Sequence, residues 1–300
     1  MEVWLNGAFV NRDDARISAF DAGFQHAVGL FETMLARNGR VFRPRRHVER
    51  LASSAKELLL SERIQVDPLV EAVQHAVDHN KLAEARIRLT ITGGDLNYLQ
   101  AKGQQHVDPT ILIDPQPRTA YPDSFFTRGV RVTVADGREN PFDPHAGHKT
   151  LSYWRRIHSL QLAGAKEASE SLWFTVSNHL AGGSVSNIFL VKDGELLTPY
   201  ARGEEAPGAV PAPVLPGVTR QAIIELAESR DLGVQRKMLD IEDVLGADEV
   251  FLTNSSWGVL PVVAVEQERI ADGEPGEITT QLREDWLTLI DDETYVSEAE

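Results

Sequence analysis

Between Pro115 and Pro122 the chain gathers three prolines and then emerges into the run VRVTVAD. Proline carries no backbone N–H, so the strand-like string TILIDPQP should run out here and a fresh strand begin beyond it. Three hundred residues exceed the usual size of one domain, and this break is the best place to divide two cores. The organisation expected is a smaller domain over 1–116, a linker over 117–124, a larger domain over 125–292 and an acidic tail over 293–300.

Local patterns fill in each half. Asn6-Gly7, Asn38-Gly39 and Asp193-Gly194 are tight-turn pairs between strand-like flanks and predict three hairpins. Val48, Leu51, Ala52, Ala55 and Leu59 recur at helical spacing, which predicts an amphipathic helix that carries Arg50 and ends near Leu60. A second helix is expected over Pro68 to Asn80. The run RIRLTITGG then alternates like a strand, with Arg86 and Arg88 pointing the same way. Beyond the linker, the loop RENPFDPHAGH leads to a helix with Tyr153, Ile157 and Leu160 on one side. Strands follow at SLWFTVS, SNIFLVK and ELLTP. Leu215-Pro216-Gly217-Val218-Thr219 opens a helix that turns Ile223, Leu226 and Ala227 inward, and ADEVFLTNSSWGVLPVVAV reads as two strands around a serine-rich turn.

Composition narrows the chemistry. A formal charge of -15 repels phosphate backbones and anionic lipid, so neither nucleic acid nor a membrane surface is expected as a partner. The chain has no cysteine, which removes disulfides, thiolate nucleophiles and cysteine-held metals. MEVWLNG lacks the pattern of a secretory leader and no apolar run reaches spanning length, so a cytoplasmic location is expected.

Lys149, in the string HKTLSYW between a proline-broken loop and a helix, is the candidate for amine chemistry on a carbonyl. Gly217-Val218-Thr219 at a helix start leaves free N–H groups and a hydroxyl, which suits an anion; a plain N-cap by Thr219 accounts for the same residues. Asn254-Ser255-Ser256 is a second hydroxyl-rich turn, and Arg50 could add a charge-assisted contact. Rival motifs are incomplete. Gly182-Gly183-Ser184-Val185-Ser186 lacks the final glycine of a nucleophile elbow, and His145 and His148 have no carboxylate framing a metal site. No metal is expected.

In combination these strings resemble the class IV aminotransferase family, the fold-type IV pyridoxal-phosphate enzymes that include branched-chain aminotransferases, D-amino-acid aminotransferases and aminodeoxychorismate lyases. The likeness runs from VWLNG to GEPGEIT and is carried by GLFETM, HVERL, RIRLTITGG, KTLSY, GSVSNIFLVKDG, LPGVTR and ADEVFLTNS. It implies an α+β or α/β chain of two domains, the smaller N-terminal one α/β, the larger C-terminal one with a mainly β core and flanking helices. It also implies a homodimer that binds pyridoxal 5'-phosphate and moves an amino group between an amino acid and a 2-oxo acid.

Residue by residue, the resemblance makes Lys149 the internal aldimine lysine and Arg50 a phosphate ligand. Tyr153 would lie against the cofactor's phenolic oxygen, Ser186 and Asn187 beside its ring. Val218, Thr219 and Ser255 would contact the phosphate. Arg88 would meet the substrate carboxylate; read from the residues alone, it is equally well accounted for as a surface arginine of an edge strand. His26 stands where relatives carry an aromatic facing the substrate, and a histidine there would hydrogen-bond a polar substrate.

One departure bears on mechanism. Relatives place a glutamate before the glycine of this turn, where it pairs with the pyridine nitrogen, whereas this chain has Gly182, with no acidic residue from Ser171 to Lys192. A carboxylate from elsewhere in the fold, a reaction less dependent on that acid such as aminodeoxychorismate lyase-type pyruvate elimination, and a catalytically impaired cofactor-binding protein are the alternatives to transamination.

Overall fold

The structure, a computed structural model, describes residues 1–95 and 109–295. The chain divides into two compact units. The first comprises Met1–Thr119, His148–Ser152 and the described part of Ile290–Glu300; the second comprises Ala120–Gly147 and Tyr153–Leu289.

The first unit contains β1 (Glu2–Leu5), β2 (Ala8–Asn11), α1 (Ala22–His26), β3 (Gly29–Arg37), β4 (Arg40–Val41), α2 (Pro44–Glu57), α3 (Val66–His79), β5 (Ala85–Thr92) and β6 (Ile111–Pro117). The six strands form one antiparallel sheet in the order β2-β1-β6-β5-β3-β4. Asn6 and Asn38 adopt φ of 48° and 52° at the hairpin turns, the left-handed conformation that Asn-Gly turns supply at little cost. Pro115 and Pro117 lie inside β6, past the two residues at which β1 pairs with it, so their missing N–H groups break no ladder on that side.

Strand alternation decides which residues meet α2 and α3. Leu30, Met34 and Ala36 of β3 and Ile87, Leu89 and Ile91 of β5 are buried with Val48, Leu51, Val73 and Val77 of the two helices. Each of the larger of these side chains contributes about 1.5–3 kcal/mol on leaving water. Glu32 shares the parity of Leu30 and Met34, so the pleat drives a carboxylate into this apolar layer. Phe31 and Thr33 take the opposite face, as do Arg86 and Arg88. β5 lies between β3 and β6, so Arg88 sits on an interior strand and the edge-strand alternative fails.

The second unit contains α4 (Ser124–Thr127), β7 (Val130–Glu139), α5 (Trp154–Ala165), β8 (Glu170–Thr175), β9 (Leu180–Gly183), β10 (Asn187–Lys192), β11 (Glu195–Thr198), α6 (Val218–Ser229), β12 (Val234–Arg236), α7 (Ile241–Leu245), β13 (Glu249–Asn254), β14 (Gly258–Val265) and β15 (Glu268–Arg269). They build a nine-stranded mixed sheet, β12-β11-β10-β13-β14-β7-β8-β9, with β15 on β14. Its core gathers Val132, Leu172, Ile188, Leu190, Leu252 and Leu260.

The helix expected through Ile157 and Leu160 is α5, with Tyr153 as its N-cap residue. Ile157 is exposed, and the buried positions are Ser159 and Ala163. Small residues let the helix approach β8 closely, and the Ser159 hydroxyl donates to Ser171 Oγ at 3.0 Å.

The final helix, α8 (Glu277–Glu293), carries ordered structure into the segment read as acidic tail. Thr294 is buried, its hydroxyl donating to the Ile290 carbonyl at 2.7 Å, while 296–300 lie outside the described residues.

Candidate active site

In the first unit the lysine segment is held as an extra rung beside β3. Phe31 N–H donates to the Lys149 carbonyl at 2.9 Å, Leu151 N–H donates to the Gly29 carbonyl at 2.9 Å, and Leu30 bridges Thr150. A side chain at position 29 would strike Leu151, its Cβ lying 2.6 Å from Leu151 Cδ1, so glycine permits this close approach. The preceding His148 buries its ring and bonds Ser54 Oγ of α2 at 2.8 Å. Lys149 is thus fixed at both its backbone and its neighbour, while its Nζ lies 4.2 Å from the centre of the Phe31 ring.

The same ring carries the Arg88 guanidinium, 3.9 Å from its centre. One aromatic residue therefore gathers both cations, the lysine and the predicted carboxylate ligand. On the helix-facing side, Arg50 of α2 makes a two-pronged bond with Glu32: Nε to Oε1 at 2.8 Å and Nη2 to Oε2 at 2.6 Å. His47 Nδ1 contacts Oε2 at 2.8 Å.

Burial alone pushes the Glu32 carboxyl up, but the Arg50 charge and the bond from His47 outweigh it and hold the group down at about 2. For His47 burial wins, and its pKa is lowered, with Arg50 and Lys149 acting in the same direction as burial. The trio is an ionised carboxylate, a neutral imidazole donating to it, and a guanidinium locked by two bonds. His26 is not part of this cluster; it ends α1 with an exposed side chain.

The second unit brings its predicted residues together from four elements. Tyr153, the N-cap residue of α5, donates its hydroxyl to the Ser184 carbonyl at 2.7 Å. Asn187, at the start of β10, donates Nδ2 to the Leu215 carbonyl at 2.9 Å, two residues before Gly217 caps α6. Asn254, ahead of Ser255, donates Nδ2 to the Val185 carbonyl at 3.2 Å and accepts from Ser256 and Trp257 N–H. Tyr153, Ser186, Asn187, Val218, Thr219 and Ser255 accordingly belong to one set of interlocked turns.

The α6 start has no side-chain cap. Gly217 has no side chain with which to cap the helix, and the first-turn N–H groups of an α-helix have no intrahelical acceptor. A Cβ at Gly217 would lie 2.0 Å from Asn187 Oδ1, so glycine is required for the turn and helix to meet. Thr219 is buried in the first turn. Its side chain does not occupy the N-cap position, which goes against the plain-cap reading.

Gly182 has a conformational cause. Its φ is +100°, and an added Cβ would come within 2.9 Å of the Ser186 carbonyl oxygen, because the turn folds back and Gly183 N–H donates to that same oxygen. An acidic side chain at this position would be strained. The carboxylate that does reach the turn is Glu170, one residue outside the segment over which the sequence shows no acid. Pairing of Leu172 with Gly183 carries the start of β8 alongside residues 184–186, and Glu170 is fully buried there. Burial pushes its carboxyl up, opposed by bonds from Ser171, Val185, Ser186 and Ser184. An acid heading the strand-like run ESLWFT was the available signal for it.

His145 and His148 do not act as a pair: the first contacts Asp143 and the second Ser54. Among the described residues no group of three potential ligands is arranged for a metal, and no helix is long and apolar enough to cross a membrane.

A family profile described as amino-transferase class IV matches residues 29–265, the span that contains every cluster above except His26 and the first hairpin. The chain belongs to the class IV aminotransferase family. A putative branched-chain-amino-acid aminotransferase of Methanocaldococcus jannaschii is 30% identical to this class IV chain over 285 residues, covering 95% of it and 94% of that protein. Among solved structures, the Escherichia coli branched-chain amino acid aminotransferase superposes with a TM-score of 0.88 at 26% identity, over 99% of this chain and 97% of that one. The 4-amino-4-deoxychorismate lyase of Pseudomonas aeruginosa superposes with a TM-score of 0.80 at 25% identity, over 98% and 100%. The family thus spans two reaction outcomes on one fold.

Proposed function

We propose that this class IV enzyme is a pyridoxal-phosphate-dependent aminotransferase that exchanges an amino group between an amino acid and a 2-oxo acid, acting as a cytoplasmic homodimer. The observation that carries the reading is the placement of Lys149 beside β3, with Nζ against the Phe31 ring that also holds Arg88. When bound, pyridoxal phosphate supplies an electron-withdrawing ring that stabilises negative charge at the substrate's α carbon.

This chain's residues provide the rest. Lys149 Nζ would hold the cofactor at its aldehyde carbon and would carry the proton taken from the substrate's α carbon. Arg88 orients the substrate through its carboxylate, and His26 offers a hydrogen bond to a polar substrate group. The resemblance assigns phosphate contacts to Arg50, which Glu32 and His47 brace, and to Val218, Thr219 and Ser255 at and beside the first turn of α6. By the same resemblance Tyr153 would meet the phenolic oxygen, with Ser186 and Asn187 beside the ring. The branched-chain name of the M. jannaschii relative makes aliphatic amino acids the first substrates to try.

The lyase-like structural neighbour supports pyruvate elimination from aminodeoxychorismate as the second reading. Incubating the loaded enzyme with leucine and 2-oxoglutarate, and separately with aminodeoxychorismate, separates the two. Glutamate with the leucine-derived oxo acid supports transamination; pyruvate with an aromatic amine and no glutamate overturns it.

A further inference from the structure

We propose that Glu170 is a positioning residue that sets the anion-holding end of the second unit, acting through the turn Ser184–Asn187. The inference rests on the cofactor reading above. The Glu170 carboxylate accepts four bonds: Oε1 from Ser171 N–H at 2.8 Å and Ser184 N–H at 3.1 Å, Oε2 from Val185 N–H at 3.1 Å and the Ser186 hydroxyl at 3.0 Å. Two of those donors are consecutive backbone N–H groups of the turn, so one buried acceptor group fixes the direction of the peptide that precedes Asn187.

From there the geometry passes outward through Asn187. Its Nδ2 holds the Leu215 carbonyl at 2.9 Å, and its Oδ1 occupies the place a Cβ at Gly217 would take. The residue that seats the N-cap of α6 is therefore itself seated by Glu170. Asn254 adds a second strap by holding the Val185 carbonyl at 3.2 Å, which joins the Ser255 turn to the same peptide. Gly183 is what lets the carboxylate in: a Cβ there would stand 2.2 Å from Ser186 Oγ and 2.9 Å from Glu170 Oε2. Glycines, serines and asparagines in this segment are arranged around one buried acid.

Glu170→Gln is the informative change because it keeps the shape and removes acceptor capacity. Whichever way the amide is turned, its NH2 faces at least one backbone N–H, so one turn donor loses its partner. The turn then relaxes and the α6 start shifts relative to Asn187. The readout is the ratio of dissociation constants for pyridoxal 5'-phosphate and for pyridoxal, which lacks the phosphate, followed by absorbance, with circular dichroism to check the fold.

The expected result for E170Q is a loss of about tenfold or more in affinity for the phosphorylated aldehyde and less than about threefold for pyridoxal, the size of one impaired charge-assisted contact. Equal losses for both compounds, or none, overturn the proposal. Should E170Q fail to fold, Glu170→Asp keeps the carboxyl group but draws it back from the turn by one methylene; it must show the same selective loss, and an unchanged ratio refutes the idea. An unmodified protein that binds neither compound overturns the cofactor reading, and the inference with it. A normal unmodified protein with an unmoved ratio in the variant overturns the inference alone.

Discussion

Replacing Glu32 by glutamine should cost the first unit stability in a way that depends on pH. The carboxyl is held at about 2, against an ordinary value of 4.5, and at roughly 1.4 kcal/mol per unit this amounts to about 3 kcal/mol. Because the folded-state value is the lower one, the contribution is complete above about 4.5, declines as pH falls toward 2, and is absent below that. Glutamine keeps the volume but not the charge, and leaves the Arg50 guanidinium, 11% exposed, facing a neutral group. Breaking one side of a buried pair costs about 3–5 kcal/mol. Urea unfolding of the cofactor-free protein and of E32Q, at pH 7 and near pH 2.5, measures the difference at each end. A difference of several kcal/mol at pH 7 that shrinks by about 2–3 kcal/mol at the acid end is expected, since carboxylates shared by both proteins cancel. A difference that stays constant with pH refutes the claim that an ionised Glu32 braces Arg50.

Three further outcomes follow from particular contacts. Gly182→Ala should destabilise the fold by about 1–3 kcal/mol in the same assay, because position 182 has φ +100° and no room for a Cβ; Gly182→Glu should for this reason fail to raise transamination, and a rise would show that the turn can accommodate an acid. Arg88→Ala should raise KM for the 2-oxo acid about tenfold or more with a smaller change in kcat, the pattern of a lost carboxylate contact; an unchanged KM removes Arg88 from the site. Ser54→Ala removes the partner of the buried His148 and should cost about 1 kcal/mol, an effect that denaturation would reveal and whose absence would mean the lysine segment is held without it.

How much of this the sequence disclosed depended on whether the deciding interaction was local. The Asn-Gly and Asp-Gly turns sit at the hairpin tips, since a two-residue turn needs positive φ wherever it occurs. The helix through Val48 showed in apolar spacing, of which Val48, Leu51 and Ala55 are buried, whereas Leu59 lies past its end and is exposed. Lys149 and the Gly217-Val218-Thr219 step stood out because each is a short string with its own chemistry. The side of α5 marked by Ile157 does not say which residues are buried: Ile157 is exposed, while Ser159 and Ala163 are buried and the Ser159 hydroxyl bonds Ser171 of β8. Glu32 and Glu170 were invisible as partners because strand pleat and strand pairing, not sequence distance, bring them to Arg50 and to Ser186. A sequence segment without an acid is therefore no guide to the charge around it once β8 lies alongside residues 183–186.

The direct test of the whole account is to load the purified protein with pyridoxal 5'-phosphate, reduce it with borohydride, and locate the added mass by peptide mass spectrometry. The pyridoxyl group is expected on the peptide that contains Lys149 and to be absent in Lys149→Ala. Label on another lysine, or no label on a protein that folds normally, would contradict the assignment of that amine and the function built on it.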